Sequence, residues 1–187
     1  IQGHVAYPES IENPIHGASR LINTLNTVDW DVRQNEAFPA TSFQVSKINA
    51  GAGANNIVPG TCNIDCNWRF STSTSGNQIQ SKVAEVLNQL GIKADIEWSL
   101  SGEPFLTRRG RLINAVTSVI HKHTGLSADL STGGGTSDGR FIAQLGCEII
   151  ELGPVNRSIH KIDEEVRISE MPVLKDLYQD IIVALID

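Results

Sequence analysis

The sequence contains few cysteines and no long apolar run. Cys62, Cys66 and Cys147 are three in number and lack C-x-x-C spacing, which argues against a disulfide framework and favours reduced thiols. No apolar stretch approaches the roughly 20 residues of a membrane-spanning helix, and no basic leader with an apolar core opens the sequence. We therefore expect a cytoplasmic protein that has no membrane partner.

Positive charge is also scarce. The 187 residues include 15 Lys and Arg against 21 Asp and Glu, which gives a net charge of −6. Nucleic-acid-binding surfaces need a patch or stripe of Lys and Arg, and no such stripe runs along the sequence, so we expect no nucleic-acid partner. Apolar residues make up 40% and charged residues 19% of the chain. This composition is typical of globular proteins with one domain or two small ones.

The first half of the chain alternates helix and strand patterns. Asn13-Pro14 begins an amphipathic helix, and a second helical pattern ends at Gly91. Period-two alternation predicts three strands, at 41–51, 61–71 and 93–100. With a short opening strand at "GHVAY", the order is β-α-β-β-α-β, the ferredoxin-like arrangement of a four-stranded antiparallel sheet with helices on one face. We predict that this α+β domain closes near Gly102.

The second half has a different order of helical and strand patterns. Helical patterns are predicted at 111–123, 137–146 and 169–186, with short apolar strands at 127–131 and 147–154. Helices that alternate with apolar strands are typical of a parallel α/β sheet. Because two strands are too few for such a sheet, we predict that this half completes a larger one.

A glycine-rich segment, "STGGGTSDGR" at 131–140, lies between a predicted strand and a predicted helix. Such a run gathers free backbone N–H groups and favours binding of an anion, with Thr136 or Ser137 as the helix cap. A tight turn without a ligand is the alternative interpretation.

The same segment fits the G-x-S-x-G nucleophile elbow of serine hydrolases, with Ser137 as the nucleophile. An elbow needs an acid and then a histidine later in the chain. Glu148 and Glu151 precede His160 but both lie on a predicted strand, which disfavours this interpretation.

His160 stands in "GPVNRSIHKIDEEV" (153–166). A neutral imidazole is a common zinc ligand and needs an acceptor that orients it, a role that Glu164 could fill. A catalytic zinc needs about three protein ligands, and neither H-E-x-x-H nor H-x-D occurs in the chain. A solvated acidic patch is the alternative for Glu164 and Glu165. The residues alone leave His4 as either a catalytic or a structural residue.

Several longer motifs carry a family resemblance. "GHVAYPES", "GAGANNIVPG", "NWRFST", "LSGEPFLT", "TGGGTSDGRFIA" and "ELGPVNRSIHKIDE" occur in this order. The chain thereby resembles the bacterial succinyl-diaminopimelate desuccinylases of the di-zinc M20 superfamily of amidohydrolases and peptidases. The resemblance implies a lid and dimerisation domain at 1–103 and the last segment of an α/β zinc-peptidase-like catalytic domain at 104–187. Since the chain opens on Ile1, we expect a fragment whose first catalytic segment is absent.

The resemblance also implies roles for single residues. His160 matches the last metal ligand and Glu164 the acid that follows it, whereas Glu165 matches no functional position. His4 matches a lid histidine that reaches the active site of the neighbouring subunit and stabilises an oxyanion. The matched substrate-binding positions are Asn55, Asn56, Arg69, Gly135, Thr136 and Asn156. Ser137 becomes a capping or pocket residue.

The implied reaction is hydrolysis of N-succinyl-LL-2,6-diaminopimelate to succinate and LL-2,6-diaminopimelate. The implied cofactors are two Zn²⁺ ions, or Co²⁺, and the implied assembly is a homodimer through the lid that binds a small substrate with several carboxylates. The 187-residue chain alone is expected to be inactive. Two alternatives are another M20 hydrolase, such as an acetylornithine deacetylase, and a dimerisation module without catalytic activity.

Overall fold

The computed structural model describes residues 1–135, 137–155 and 157–186. It divides into two compact units, Ile1–Pro104 and Phe105–Asp187. The first unit contains β1 (Gly3–His4), α1 (Pro14–Leu25), β2 (Ser42–Ala50), β3 (Ile57–Val58), β4 (Cys62–Arg69) and α2 (Gly76–Leu90). The second contains α3 (Arg111–Thr124), α4 (Gly139–Ile142) and α5 (Glu170–Ile186). The predicted α/β class is confirmed.

The start of α1 and the end of α2 lie at the residues that the sequence indicated. The Asn13 side chain accepts the backbone N–H of Ile15 at 3.0 Å at the start of α1. Ser75 does the same for Gln78 at 3.3 Å at the start of α2. Gly91 ends α2 with a φ of 64°, a left-handed conformation that costs glycine little. Local capping chemistry therefore sets the limits of both helices.

The strands form two separate antiparallel pairs. β2 pairs with β4 from Ser42 opposite Arg69 to Ala50 opposite Cys62, and β1 pairs with β3. The predicted strand at 93–100 and the single four-stranded sheet are not found among the described residues. Trp98 instead packs its ring 5.6 Å from that of Trp68. Side-chain contact, and not a backbone ladder, therefore holds this segment to the unit.

The core of the first unit lies between α1, α2 and the β2–β4 pair. Its fully buried members are Leu25, Trp30, Phe43, Ile79, Val83, Val86 and Leu87. Trp68 extends this core, with its ring centroid 4.9 Å from Phe43 and 5.5 Å from Trp30. Aromatic rings bury large apolar areas and prefer such tilted or edge contacts, so these rings join the segment after α1, which carries Trp30, to the β2–β4 pair.

In the second unit, α3 packs against α5 through a smaller core. Its buried members are Val116, Val119, Leu177 and Ile181, with Ile150 and Leu152 packed against them. The strands predicted at 127–131 and 147–154 do not form ladders among the described residues. At Ile149, the Thr107 side chain binds both the backbone N–H, at 3.0 Å, and the carbonyl, at 2.7 Å. The Thr107 hydroxyl therefore makes the two backbone hydrogen bonds that a neighbouring strand would make at Ile149. No helix within the described ranges has the length and apolar character needed to cross a membrane.

The N-terminus of α3 is capped by a residue distant in sequence. Gly110 at the N-cap has no side chain to offer, and the Glu148 carboxylate accepts the backbone N–H of Leu112 at 3.0 Å. A Cβ added at Gly110 would lie 1.7 Å from Glu148 Oε1. Glycine at 110 therefore leaves the space that this long-range cap occupies.

We expect Gly110→Ala to destabilise the protein by about 1–2 kcal/mol, since the added methyl group displaces the capping carboxylate. Glu148→Ala should cost a similar amount. The double variant should cost little more than either single one, because both remove the same cap. Urea unfolding of the four proteins measures this coupling, and strictly additive losses would contradict it.

The α3–α5 contact also carries a charged cluster. Asp180 on α5 accepts hydrogen bonds from His123 at 2.8 Å and from Lys122 at 3.0 Å. The bond from His123, and then that from Lys122, lowers the pKa of the Asp180 carboxyl. Because this pKa is lower in the folded protein, the hydrogen bonds of Asp180 contribute fully to stability at any pH above the ordinary aspartate pKa of about 4. The contribution is lost as the pH falls through the lowered pKa.

Asp180→Asn should therefore flatten the loss of stability below about pH 4 and leave the profile at higher pH parallel to that of the unchanged protein. The effect should be small, because a third of the Asp180 side chain is exposed to solvent (33%). Asp176→Asn is the matched control, since Asp176 pairs with the adjacent Lys175 and, among the described residues, with no other charged group. Urea midpoints across this pH range test the prediction, and equal changes in both variants would refute it.

Candidate functional site

The first group of candidate residues surrounds His4 in the first unit. Strand pairing places His4 opposite Ile57, and Val5 donates its backbone N–H to the carbonyl of Asn56 at 3.0 Å. The same pairing brings Asn56 Nδ2 to 3.5 Å from His4 Nε2. Asn55, the preceding residue, is exposed. The loop before β3 and the strand β1 therefore bring His4 and Asn56 together.

The hydrogen bonds of His4 indicate its tautomer. The backbone N–H of Ala6 donates to Nδ1 at 3.1 Å, so Nδ1 carries a lone pair and the proton of the neutral ring lies on Nε2. Nε2 is then a donor. The Asn56 amide that faces it can accept this N–H through Oδ1 after a flip that exchanges its oxygen and nitrogen. His4 is therefore an exposed N–H donor, the form that can stabilise a developing negative charge.

Arg69 lies at the end of β4 on its polar face. Asn63, Asp65, Asn67 and Arg69 are exposed, and the residues between them are half-buried, as the alternation predicted. Burial raises the pKa of the Cys66 thiol on the inner face, and the nearby Asp65 carboxylate raises it further. The guanidinium of Arg69 lies on this exposed face and has the geometry for bidentate binding of a carboxylate, whereas Cys66 lies on the half-buried face.

The glycine-rich segment belongs to the second unit. Gly135 is exposed, and Thr136 lies outside the described residues. The Ser137 hydroxyl accepts the N–H of Gly139 at 2.9 Å and donates to the carboxylate of Glu151. The Ser137 hydroxyl therefore bonds the first backbone N–H of α4 and an acid, and not the histidine that a nucleophile elbow requires.

His160 lies in a short exposed loop, Ser158–Glu165, called here the His160 loop. His160 has a φ of 58° and Asp163 a φ of 60°. Among the described residues, these are the two non-glycine residues with a positive φ. Such conformations cost about 1–3 kcal/mol each and persist only where the surroundings enforce them. Strain of this kind is concentrated at functional sites.

The hydrogen bonds of the His160 loop differ from those predicted. The Glu164 carboxylate accepts the backbone N–H of His160 at 3.3 Å, whereas the sequence suggested that it would orient the imidazole. Among the described residues, no hydrogen bond is made by the ring of His160, which is exposed. Glu164 therefore supports the backbone of the loop and leaves the ring nitrogens available to a ligand. Asn156, another predicted site residue, lies outside the described residues.

A single imidazole does not make a metal site. Over the described ranges, no group of three or more His, Cys, Asp and Glu side chains could hold a metal ion. An exposed imidazole with unused nitrogens nevertheless fits zinc chemistry as one of about three protein ligands. His160 therefore has the donor chemistry of one ligand.

Comparison with known proteins bears on both units. Residues 1–95 match the peptidase dimerisation domain of the M20 family. The chain is 50% identical over 181 residues to a succinyl-diaminopimelate desuccinylase from Acinetobacter baylyi, a match that covers 97% of this chain and 48% of that protein. It is 46% identical over 187 residues to the enzyme of that name from Hydrogenovibrio crunogenus, with 100% and 49% coverage. The chain thus spans about half the length of the curated relatives it matches, and the resemblance seen in the motifs is confirmed.

Solved structures agree at the level of fold. A tripeptidase from Staphylococcus aureus superposes with a TM-score of 0.73 at 23% identity, over 98% of this chain and 48% of that one. An aminopeptidase from Bacillus cereus gives 0.69 at 20% identity, with 100% and 49% coverage. An M20 family metallo-carboxypeptidase from Sulfolobus solfataricus gives 0.70 at 16% identity, with 96% and 53% coverage.

Proposed function

Because the chain belongs to the M20 peptidase dimerisation-domain family, we propose that it is the lid and the last catalytic segment of a metal-dependent amide hydrolase. Residues 1–103 form the lid and 104–187 the catalytic segment. The substrate is N-succinyl-LL-2,6-diaminopimelate, which is hydrolysed to succinate and LL-2,6-diaminopimelate. The observation that carries this proposal is the 50% identity to a desuccinylase over 97% of the chain, which includes both units.

The metal in this proposal is a pair of Zn²⁺ or Co²⁺ ions, and His160 supplies one ligand. When bound, such ions polarise a carbonyl and lower the pKa of a water molecule. Two observations support this role: the positive φ of His160, and an exposed ring that makes no hydrogen bond to any other described residue. The other ligands come from polypeptide beyond these 187 residues, in the half of the relatives that the chain does not match.

The substrate contacts in this proposal come from polar groups in both units. His4 donates from Nε2 to the oxyanion in the active site of the partner subunit, and the tautomer fixed by Ala6 supports that role. Arg69 binds a substrate carboxylate in bidentate fashion. The remaining contacts are assigned to Asn55, Asn56, Gly135, Thr136 and Asn156. A substrate with several carboxylates accounts for this set of donors.

Assembly in this proposal is a homodimer in the cytoplasm, formed through the lid. Among the described residues β2 pairs only with β4, which leaves an edge of this pair open to a second copy. Light scattering at tens of micromolar should report twice the 20.3 kDa mass of one chain. A mass that stays at that of the monomer would argue against the lid interface.

Exposed apolar residues in the second unit support its place in a larger catalytic domain. Ile182, Val183 and Ile186 on α5 are all more than half exposed. Apolar side chains on one helix, when left in solvent, fit an element that packs against a further layer.

The function can be tested with a chimera in which this chain replaces the matched half of the Acinetobacter relative. This protein is called the chimera below. We expect it to release succinate from N-succinyl-LL-2,6-diaminopimelate only with metal present, whereas the 187-residue chain alone should release none. N-acetylornithine serves as the competing substrate. Preference for N-acetylornithine would favour a deacetylase, and an inactive but dimeric chimera would favour a dimerisation module.

A further inference from the structure

The ends of the His160 loop are joined by one hydroxyl group. Ser158 Oγ donates to the carbonyl of Glu165 at 3.0 Å and accepts the N–H of the same residue at 2.9 Å. Within the loop, the backbone N–H of Lys161 donates to the carbonyl of Ser158 at 2.9 Å. Ser158 therefore anchors both the closure of the loop and the turn that carries His160.

We propose that Ser158 is a positioning residue, whose hydroxyl closes the His160 loop and thereby holds the imidazole of His160 in the orientation needed to bind the metal. This inference rests on the proposed function, because it takes His160 as a ligand. It goes beyond that function in assigning a role to a residue that touches neither metal nor substrate.

Burial distinguishes Ser158 from the other polar groups of the loop. Ser158 is half-buried, whereas His160, Lys161, Glu164 and Glu165 are exposed. Water competes less for the two hydrogen bonds of a half-buried hydroxyl than for a bond of the exposed Glu164 carboxylate. The bond from the His160 N–H to that carboxylate is also longer, at 3.3 Å. Ser158 is therefore the side chain best able to maintain the positive φ angles of His160 and Asp163.

Two substitutions separate the hydroxyl from the rest of the side chain. Ser158→Ala removes both bonds to Glu165, and Ser158→Thr keeps a hydroxyl that can remake them. Ser81→Ala is the matched control, since Ser81 makes one hydroxyl bond of 2.9 Å to a backbone carbonyl on α2.

The first measurement is backbone amide hydrogen exchange by NMR on the 187-residue chain without metal. In Ser158→Ala we expect exchange of the His160, Lys161 and Glu165 amides to accelerate roughly tenfold or more, since all three depend on the closed loop. Ser158→Thr and Ser81→Ala should leave them unchanged. Acceleration confined to the Glu165 amide, which bonds Ser158 directly, would overturn the proposal.

The second measurement is zinc affinity of the chimera, determined by competition with a chelating indicator. Ser158→Ala should weaken it roughly 10–100-fold, the range typical of residues that orient a metal ligand, and Ser158→Thr should restore it. If His160→Ala weakens binding and Ser158→Ala does not, the positioning role is wrong and the proposed function stands. If His160→Ala itself has no effect, the proposed function fails.

Discussion

Replacing His160 by alanine in the chimera is expected to lower zinc affinity by more than about 100-fold, beyond the range seen when only an orienting partner is lost. Hydrolysis should disappear with it, because a catalytic zinc needs about three protein ligands. Zinc competition and succinate release measure the two effects. His16→Ala is the control, since His16 is an exposed histidine on α1 to which the proposal gives no role.

Unchanged zinc binding and activity after this substitution would contradict the proposal. A His160→Ala chimera that keeps its zinc affinity and its activity would show that this histidine is not a ligand. The positive φ of His160 would then need another explanation. Dimerisation through the lid would be unaffected, because it depends on the first unit.

The second large effect concerns His4. Removing one donor to an oxyanion typically costs about 10²–10³-fold in kcat, and we expect a loss of that size in the chimera carrying His4→Ala. KM should change little, since the donor acts on charge that develops during the reaction. Ala6→Gly is a milder control, because it keeps the backbone N–H that fixes the tautomer of His4.

Mixed dimers test whether His4 acts on the neighbouring subunit. His4→Ala and His160→Ala homodimers should both be nearly inactive. A mixed dimer would have one complete site, formed by His160 of one subunit and His4 of the other. Equal mixing should therefore restore about a quarter of the full activity, since half of the dimers are mixed and each has one working site of two. No recovery would mean that His4 acts within its own subunit.

Local sequence signals predicted the helices well. Asn13 accepts a backbone N–H group at the first turn of α1, and Gly91 ends α2 in the left-handed region. These interactions join residues a few positions apart, so the sequence contains all the information that they require. The alternating faces of β4 were predictable for the same reason.

Strand partners were less predictable because they depend on distant residues. Alternation at 93–100 indicates which side chains share a face, but it does not show whether a neighbouring edge is available. In the structure Trp98 contacts Trp68 through its ring and no ladder forms there. At Ile149, the Thr107 hydroxyl satisfies the backbone groups that a strand would have bonded.

In the candidate site too, local features were predictable from the sequence and contacts between distant residues were not. The residue types of His4, Arg69 and His160 were recognisable from motifs, whereas their supporting contacts were not. Glu164 binds the backbone of His160, and Ser158 closes the loop through Glu165. A serine in a turn is a known signal for side-chain bonds to the backbone, but it does not indicate which distant residue is bonded.

The most direct test is to locate the metal in crystals of the zinc-loaded chimera by anomalous scattering at the zinc edge. The account predicts a zinc ion at about 2.0–2.1 Å from a ring nitrogen of His160, the usual zinc–imidazole distance. Zinc bound elsewhere, with the imidazole of His160 in solvent, would contradict it.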